Sequence, residues 1–320
     1  MRPKPGESLP PGIHLLPVRA APGPRARRVR LYHPSLHELI KEQVRVTGRQ
    51  EVAYTAISNW LHLMRGPVLE VPLRERALEI FGEREYVTEF PEPEKCLDGK
   101  GFGGPLFEKR TEFYDLIKAF PTDPPLLNAH FSRFSPGAQS TSVGSGDILL
   151  VVENSATYTS LVRRLRVLQG QHRIGCVAWG VGRAFTASVR SITAHHGANG
   201  NTRARFSKIR YFGDLDVSGL EIPLKARENL QATGVALGVN PPPVQPTPVL
   251  YRALTTVRAP LPGKERSHSR EEANTLVKWL GASHDFEPVV DVLMKGERWA
   301  QEGVGLCHLT STDEWLADMR

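Results

Sequence analysis

The feature that most constrains the fold is a continuous apolar run, Ile148-Leu-Leu-Val-Val152, which follows Asp147. Such a run is expected of a strand buried on both faces, because a half-exposed strand would alternate with polar residues. Two further strands are predicted at 174–179 and 208–212, and a helical pattern follows each of the three. Strands that alternate with helices predict βαβ units, and therefore an α/β fold with a mostly parallel sheet.

Each predicted strand ends in residues that suit a reactive site. The first strand ends in Glu153, the second in Gly180-Val-Gly182, and the third in Gly213-Asp214-Leu215-Asp216. In an open parallel sheet, ligands bind outside the carboxyl ends of the strands. Because side chains alternate along an extended chain, Asp214 and Asp216 can point the same way while Leu215 turns to the core.

Carboxylates grouped in this way suit a hard cation such as Mg²⁺, or Mn²⁺ in its place. Such an ion orients a phosphate and activates a nucleophile, as phosphodiester cleavage requires. We therefore predict Glu153, Asp214 and Asp216 as metal ligands and catalytic residues, with Glu153 also able to transfer a proton. Gly180 and Gly182 would support the site by leaving room for substrate. The alternative is that the aspartates only cap the next helix, as Asp often does.

Charge and composition describe the rest of the chain. A formal net charge of +7 and a sequence pI of about 9.4 favour an acidic partner, most commonly nucleic acid. Residues 1–30, rich in proline and arginine, predict a flexible basic arm; a solvated tail or a wrongly assigned start are the alternatives. Short helices within 31–135 predict an α+β winged-helix-like DNA-binding domain, although a helical cap domain would give the same pattern. Residues 145–320 form the predicted catalytic domain.

Several other classes of protein are disfavoured. Cys96, Cys176 and Cys307 are far apart, which argues against a disulfide framework or a cysteine zinc site. No apolar run approaches the roughly 20 residues of a membrane span and no signal sequence is recognised, so we expect no membrane association and a cytoplasmic location. The glycines at 99, 101 and 104 match G-x-G-x-x-G, but no strand precedes them, so they predict a loop.

The strand ends also resemble a known family. The sequences at 148–154, 179–182 and 209–220, which contain the acids and the glycine turn, resemble the Toprim domain of topoisomerases, primases and several nucleases. Residues 72–82 and Arg298-Trp-Ala-Gln-Glu302 extend the resemblance, over roughly 45–305, to the JetD subunits of Wadjet plasmid-defence systems. These subunits are relatives of the topoisomerase VI A subunit.

The resemblance implies a DNA endonuclease with a winged-helix domain and a Toprim domain. It implies a homodimer that acts on double-stranded DNA with an SMC–kleisin complex, in the cytoplasm and associated with the nucleoid. It assigns Mg²⁺ to Glu153, Asp214 and Asp216, and gives Glu302 a supporting role, for which a surface position is the alternative. Topoisomerase VI A relatives also use a tyrosine nucleophile. Tyr54 and Tyr86 lie outside the paired-tyrosine context, so both are predicted as buried aromatics and hydrolysis is favoured.

Basic residues near the acids and in the N-terminal half are predicted DNA contacts: Arg183, Lys208, Arg210, Arg74 and Arg76. Two rival functions stay open. A D-x-D at a strand end also begins the haloacid-dehalogenase-like phosphatases, but these need a further acidic pair that no strand after Asp216 supplies. A non-catalytic DNA-binding Toprim subunit is the other rival, and clustered carboxylates argue against it because they repel without a cation.

Overall fold

The computed structural model of the protein describes residues 32–40, 48–99, 101–122, 146–168, 171–194, 206–264, 267–281 and 284–320. The predicted basic arm at 1–30 lies outside these residues. By their mutual contacts, the residues from Tyr32 to Arg320 belong to one unit. The division into domains at 31–135 and 145–320 stays a prediction.

The N-terminal part is mainly helical. Its elements are α1 (Pro34–His37), α2 (Gly48–Leu63), β1 (Val71–Pro72), α3 (Leu73–Phe81), the 3₁₀ turn Pro93–Lys95, α4 (Pro105–Glu108), α5 (Arg110–Leu116) and β2 (Ala119–Phe120). The two short strands β1 and β2 pair in parallel. Buried residues of these helices, among them Tyr54, Ile57, Phe81 and Phe113, form one hydrophobic cluster.

The central part contains the sheet that the sequence predicts. Its elements are β3 (Ile148–Val152), α6 (Ser155–Val167), β4 (Ile174–Trp179), the 3₁₀ turn Gly182–Ala184, α7 (Phe185–Ser188), α8 (Ser191–Ala194), β5 (Lys208–Phe212), α9 (Val217–Leu237) and β6 (Val244–Pro246). The four strands pair in parallel in the order β4-β3-β5-β6. The prediction of an α/β fold with a mostly parallel sheet is confirmed.

The C-terminal part packs around this sheet. Its elements are α10 (Pro248–Val257), β7 (Leu261–Pro262), α11 (Arg270–Val277), α12 (Glu287–Met294), β8 (Glu297–Arg298), α13 (Leu306–Ser311) and 3₁₀ turns at Lys278–Leu280, His284–Phe286, Gln301–Gly303 and Glu314–Leu316. An antiparallel bridge joins Leu215 to Trp299, so the chain after β8 runs beside the chain after β5. None of the described helices is both long and apolar enough to cross a bilayer.

The strand order creates a crevice at one edge of the sheet. From β3 the chain passes through α6 to β4 on one side, and it returns to β5 on the other side of β3. Ligands in open α/β sheets bind at such a switch point, outside the carboxyl ends of the strands. Val152, the last residue of β3, is in register with both Trp179 and Phe212, so the three strands end at the same level.

Candidate active site

Glu153 lies at this switch point, directly after β3. Its Oε2 accepts hydrogen bonds from the Tyr211 hydroxyl at 3.2 Å and from the Asp214 backbone N–H at 3.4 Å. Burial, followed by the neighbouring charges of Asp214 and Asp216, raises the pKa of Glu153 to about 8. The structure therefore brings the three predicted acids together at one edge of the sheet.

Asp214 is held by the C-terminal segment as well as by the sheet. Its Oδ1 accepts hydrogen bonds from the Gln301 backbone N–H at 2.8 Å and from Asn154 Nδ2 at 3.2 Å. Its Oδ2 lies 3.8 Å from Arg298 Nη1. The side chain keeps part of its surface exposed, so a ligand in the crevice can reach it.

Asp216 has a structural role in addition to the predicted one. Its Oδ1 accepts a hydrogen bond from the Gly219 backbone N–H at 2.7 Å and so caps the N-terminus of α9. The D-x-D motif therefore does cap the following helix, through Asp216. Leu215, between the two aspartates, is fully buried, as the alternation predicts.

Glu302 belongs to the same group of acids. It is only 3% exposed, so the alternative of a surface glutamate is wrong. Its Oε2 accepts a hydrogen bond from Asn154 Nδ2 at 3.2 Å, and its Oε1 is buried without a hydrogen-bond partner in the described part of the chain. Burial raises the pKa of Glu302 well above its ordinary value, and the charges of Asp214 and Glu94 act in the same direction.

Glycines next to the acids make room for the carboxylate groups, because a larger side chain would collide with them. A Cβ at Gly213 would lie 2.6 Å from Glu153 Oε2, which is too close for any side chain to be accepted there without movement of the carboxylate. Gly182 has a φ of +56° and follows Val181 at +53°, so two successive residues are left-handed beside Glu153. Gly180 is buried, and its N–H donates to the Val152 carbonyl at 2.8 Å.

Sequence reasoning missed four residues that hold the acids: Asn154, Tyr211, Gln301 and Arg298. Asn154 offered a local signal, because it occupies the N-cap position of α6 yet follows the predicted acid directly. In the structure its side chain makes no capping bond and instead donates to Asp214 and Glu302. Gln301 and Arg298 offered only their place in the segment that resembles JetD.

Two arginines of α3 are bound by acids of the N-terminal part, and one of them is buried. Arg76 is only 1% exposed; its guanidinium donates to Glu79 and to the Leu69 carbonyl and lies 4.7 Å from the Trp60 ring centre. The prediction that Arg76 contacts DNA is therefore wrong. Arg74 donates from Nε and Nη2 to Asp98 Oδ2, at 3.0 and 2.7 Å, and keeps some exposure.

The other predicted DNA contacts divide by position. Arg183 is exposed on the turn after β4, and its Nη2 lies 3.4 Å from Ser218 Oγ at the start of α9. Lys208 begins β5, six residues before Asp214, which is roughly 20 Å of extended chain. Arg210 donates to the carbonyls of Pro246 and Asp318. Lys208 and Arg210 therefore do not lie beside the acids, contrary to the prediction.

The two tyrosines considered as nucleophiles, Tyr54 and Tyr86, are buried, as predicted. Tyr54 is fully buried, and burial followed by the charges of Tyr32 and Glu108 raises its pKa to about 12. Tyr86 is also buried, and its hydroxyl accepts a hydrogen bond from Asn59 Nδ2 at 2.9 Å.

The donor chemistry of the site fits a hard cation. Glu153, Asp214, Asp216 and Glu302 offer carboxylate oxygens, the ligands that Mg²⁺ prefers. The raised pKa of Glu153 and the unpartnered Oε1 of Glu302 are what buried acids display when too little positive charge faces them. In the residues that the structure describes, no three Asp, Glu, His or Cys side chains already converge as a metal shell. The acids are therefore neighbours that would have to draw together around an ion.

Comparison with known proteins gives one match. Residues 121–237 match the family described as Wadjet protein JetD, C-terminal. Over this segment, the chain is similar to JetD. The JetD-like segment contains β3 to α9, and with them Glu153, Asp214 and Asp216. No curated protein and no solved structure matches the chain.

Proposed function

We propose that the protein is a Mg²⁺-dependent Toprim endonuclease that hydrolyses phosphodiester bonds of double-stranded DNA. The observation that carries the proposal is the meeting of Glu153 and Asp214 at the switch point of the sheet, where the Asp214 N–H lies 3.4 Å from Glu153 Oε2. The similarity to Wadjet protein JetD supports the choice of DNA and a role as the plasmid-cleaving subunit of a Wadjet-type SMC defence complex.

The surroundings of each acid suit it to a different part in the proposed hydrolysis. Glu153 has a pKa of about 8 in the absence of a cation. A bound cation would lower this pKa and leave the carboxylate able to take a proton from an attacking water. Asp214 is oriented by Gln301 and Asn154, which fixes its carboxylate toward the crevice. Asp216 is fixed by its own capping bond to Gly219.

The cation would be held by Glu153, Asp214 and Asp216, with Mn²⁺ able to replace Mg²⁺. When bound, it would neutralise charge on the phosphate and lower the pKa of an attacking water. Glu302 would help to orient these ligands indirectly, because the side-chain amide of Asn154 donates hydrogen bonds both to Glu302 and to Asp214.

DNA binding is proposed for surfaces around this crevice. Arg183 is the exposed cation nearest in sequence to the glycine turn, and its position beside Ser218 suits a phosphate contact. The winged-helix domain at 31–135, the Toprim domain at 145–320, the basic arm at 1–30, the homodimer, the SMC–kleisin partner and a nucleoid-associated cytoplasmic location belong to the same proposal. The buried Tyr54 and Tyr86 favour hydrolysis over a tyrosyl–DNA intermediate.

A haloacid-dehalogenase-like phosphatase is the weaker alternative. It would use Asp214 as a nucleophile and would need further acids at the end of a neighbouring strand. The strands beside β5 are β3 and β6. The chain after β6 continues as Thr247-Pro-Val and supplies no carboxylate, and β3 is followed by a single one, Glu153, where that fold needs a pair. This alternative would also leave Glu153 without a role.

The test is cleavage of supercoiled plasmid by the purified full-length chain, alone and with the SMC and kleisin subunits of a Wadjet-type system. We expect nicked or linear DNA in Mg²⁺ or Mn²⁺, and loss of at least about 100-fold in rate for Glu153→Gln and Asp214→Asn. Glu287→Gln and Asp291→Asn are matched controls, because they change exposed carboxylates on α12.

The outcomes separate the three functions. Cleavage that the controls retain and both acid variants lose supports the nuclease. Turnover of p-nitrophenyl phosphate with undamaged plasmid favours the phosphatase. DNA binding without cleavage under any of these conditions, unchanged in the acid variants, favours the non-catalytic subunit and contradicts the proposal.

A further inference from the structure

A single buried side chain joins the two strand ends that carry the acids. Gln301 is fully buried at the start of a 3₁₀ turn. Its Nε2 donates to the carbonyl of Phe212, the last residue of β5, at 2.7 Å. Its Oε1 accepts from the backbone N–H of Asn154, just after β3, at 2.9 Å. Its own backbone N–H donates to Asp214 Oδ1 at 2.8 Å.

These bonds lie just beyond the last backbone hydrogen bond between β3 and β5. The ladder between β3 and β5 ends at the bond from the Glu153 N–H to the Phe212 carbonyl. Beyond it the chain after β3 turns into α6, and the chain after β5 continues to Asp214. A primary amide carries a donor and an acceptor side by side, so Gln301 can bind both chains at once.

A backbone bridge between distant parts of the chain positions the segment that contains Gln301 beside Asp214. Leu215 and Trp299 exchange backbone hydrogen bonds at 2.9 and 3.2 Å, which sets the chain at 299–302 against the chain at 214–216. Asp214 is therefore bound to the same residue whose side chain fixes the separation between β3 and β5.

We propose that Gln301 is a positioning residue of the acid site: it sets the distance between Glu153 and Asp214 and orients the Asp214 carboxylate for a cation. The inference rests on the proposed function. Gln301 acts through the backbone and through Asp214, and it does not touch substrate. Residues that orient the ligands of a metal typically change metal affinity or activity about 10-fold to 100-fold when they are replaced.

Two substitutions separate positioning from simple filling of the core. Gln301→Met keeps the length of the side chain and removes both hydrogen bonds. Gln301→Asn keeps the amide but shortens the side chain by one methylene, so the amide cannot reach the Phe212 carbonyl and the Asn154 N–H together. Gln245→Met is the matched control, since Gln245 lies on β6 opposite Arg210, away from the acid end of the sheet.

Two measurements are made on the full-length chain. One is the Mg²⁺ concentration that gives half-maximal plasmid cleavage; the other is the rise in melting temperature that Mg²⁺ or Mn²⁺ produces, which needs no activity. For Gln301→Met we expect the half-maximal concentration to rise about 10-fold or more and the metal-induced stabilisation to shrink. For Gln301→Asn we expect changes in the same direction, because the amide is kept but its reach between the two strand ends is lost.

Both readouts start from a temperature where each variant is fully folded without metal, because binding coupled to folding would otherwise raise the apparent metal requirement. A metal requirement equal to that of the wild type in Gln301→Met or in Gln301→Asn would overturn the inference. If Gln301→Met does not fold, Gln301→Asn decides alone. A wild-type chain that binds the metal but cleaves no DNA would instead count against the proposed function.

Discussion

Arg298 donates hydrogen bonds from Nη2 to both carboxylate oxygens of Glu94, at 2.9 and 3.1 Å. Both side chains are buried, at 7% and 2% exposure, and the pair joins the helical N-terminal part to the segment that holds the acids. Arg298 also lies 3.8 Å from Asp214 Oδ2. The N-terminal part therefore contributes, through one arginine, to the electrostatics of the candidate active site.

Breaking this pair should destabilise the protein strongly. Glu94→Gln or Arg298→Met leaves one buried charge without its hydrogen-bonded partner, and loss of such a partner typically costs about 3–5 kcal/mol. The double variant leaves neither charge, so its loss in the free energy of unfolding should be smaller than the sum of the two single losses by at least about 1 kcal/mol. Urea denaturation measures all four proteins, and an additive double variant would contradict a direct interaction.

Two substitutions of Asp216 should distinguish its role as a helix cap from its proposed role as a metal ligand. Asp216→Asn keeps an oxygen that can accept from the Gly219 N–H but removes the charge, whereas Asp216→Ala removes both. We expect Asp216→Asn to unfold like the wild type, within about 0.5 kcal/mol, and Asp216→Ala to lose about 1 kcal/mol through loss of the helix cap. Both should lose metal-dependent plasmid cleavage. Full activity of Asp216→Asn would restrict this residue to capping.

The sheet could be predicted from the sequence because its signals are local. An uninterrupted apolar run specifies β3, and the helical spacing after each strand implies parallel crossovers. The fourth strand, β6, was not predicted. It is three residues long, lies in a proline-rich stretch and ends in Pro246, so only its pairing with Ile209 to Tyr211 makes it a strand.

The candidate site also contains residues that local sequence signals predict and residues that only tertiary structure brings in. Glu153, Asp214 and Asp216 were predicted because each ends a strand or follows one, and parallel strands end at a common edge. Gln301 and Arg298 act on Asp214 from more than eighty residues away along the chain, and only the bridge between Leu215 and Trp299 brings them there. The prediction that Arg76 contacts DNA is wrong for the same reason: the burial of this arginine depends on tertiary packing, and nothing in the local sequence indicates it.

Arg183 should contribute to DNA affinity and not to stability. It is exposed and makes one long contact with Ser218, so Arg183→Ala should leave the melting temperature unchanged. Loss of one phosphate contact should weaken binding and reduce the slope of log affinity against log salt by about 1. Fluorescence anisotropy with duplex DNA at several salt concentrations measures both. Arg166→Ala is the control, because Arg166 is exposed at the far end of α6. An equal effect in both variants would indicate nonspecific charge alone.

Glu75 should make stability fall as the pH rises. Its carboxylate is buried, accepts hydrogen bonds from Ser160 Oγ and from the Leu306 N–H, and has a pKa that burial raises from 4.5 to about 8. The folded protein therefore holds this proton more tightly than the unfolded chain does. The stabilisation is complete below pH 4.5 and is lost between 4.5 and about 8, at up to about 1.4 kcal/mol per pH unit.

Glu75→Gln removes this titration and keeps a group that can both accept from Leu306 and donate to Ser160. The free energy of unfolding of the variant should therefore fall less than that of the wild type between pH 5 and pH 8. Urea denaturation at pH 5, 6.5 and 8 gives the comparison. Glu153 and Glu302 titrate in both proteins, so their contributions cancel in the difference. Glu271→Gln, on the exposed face of α11, should keep the wild-type slope. Parallel pH curves for Glu75→Gln and the wild type would mean that Glu75 is already ionised in the folded protein.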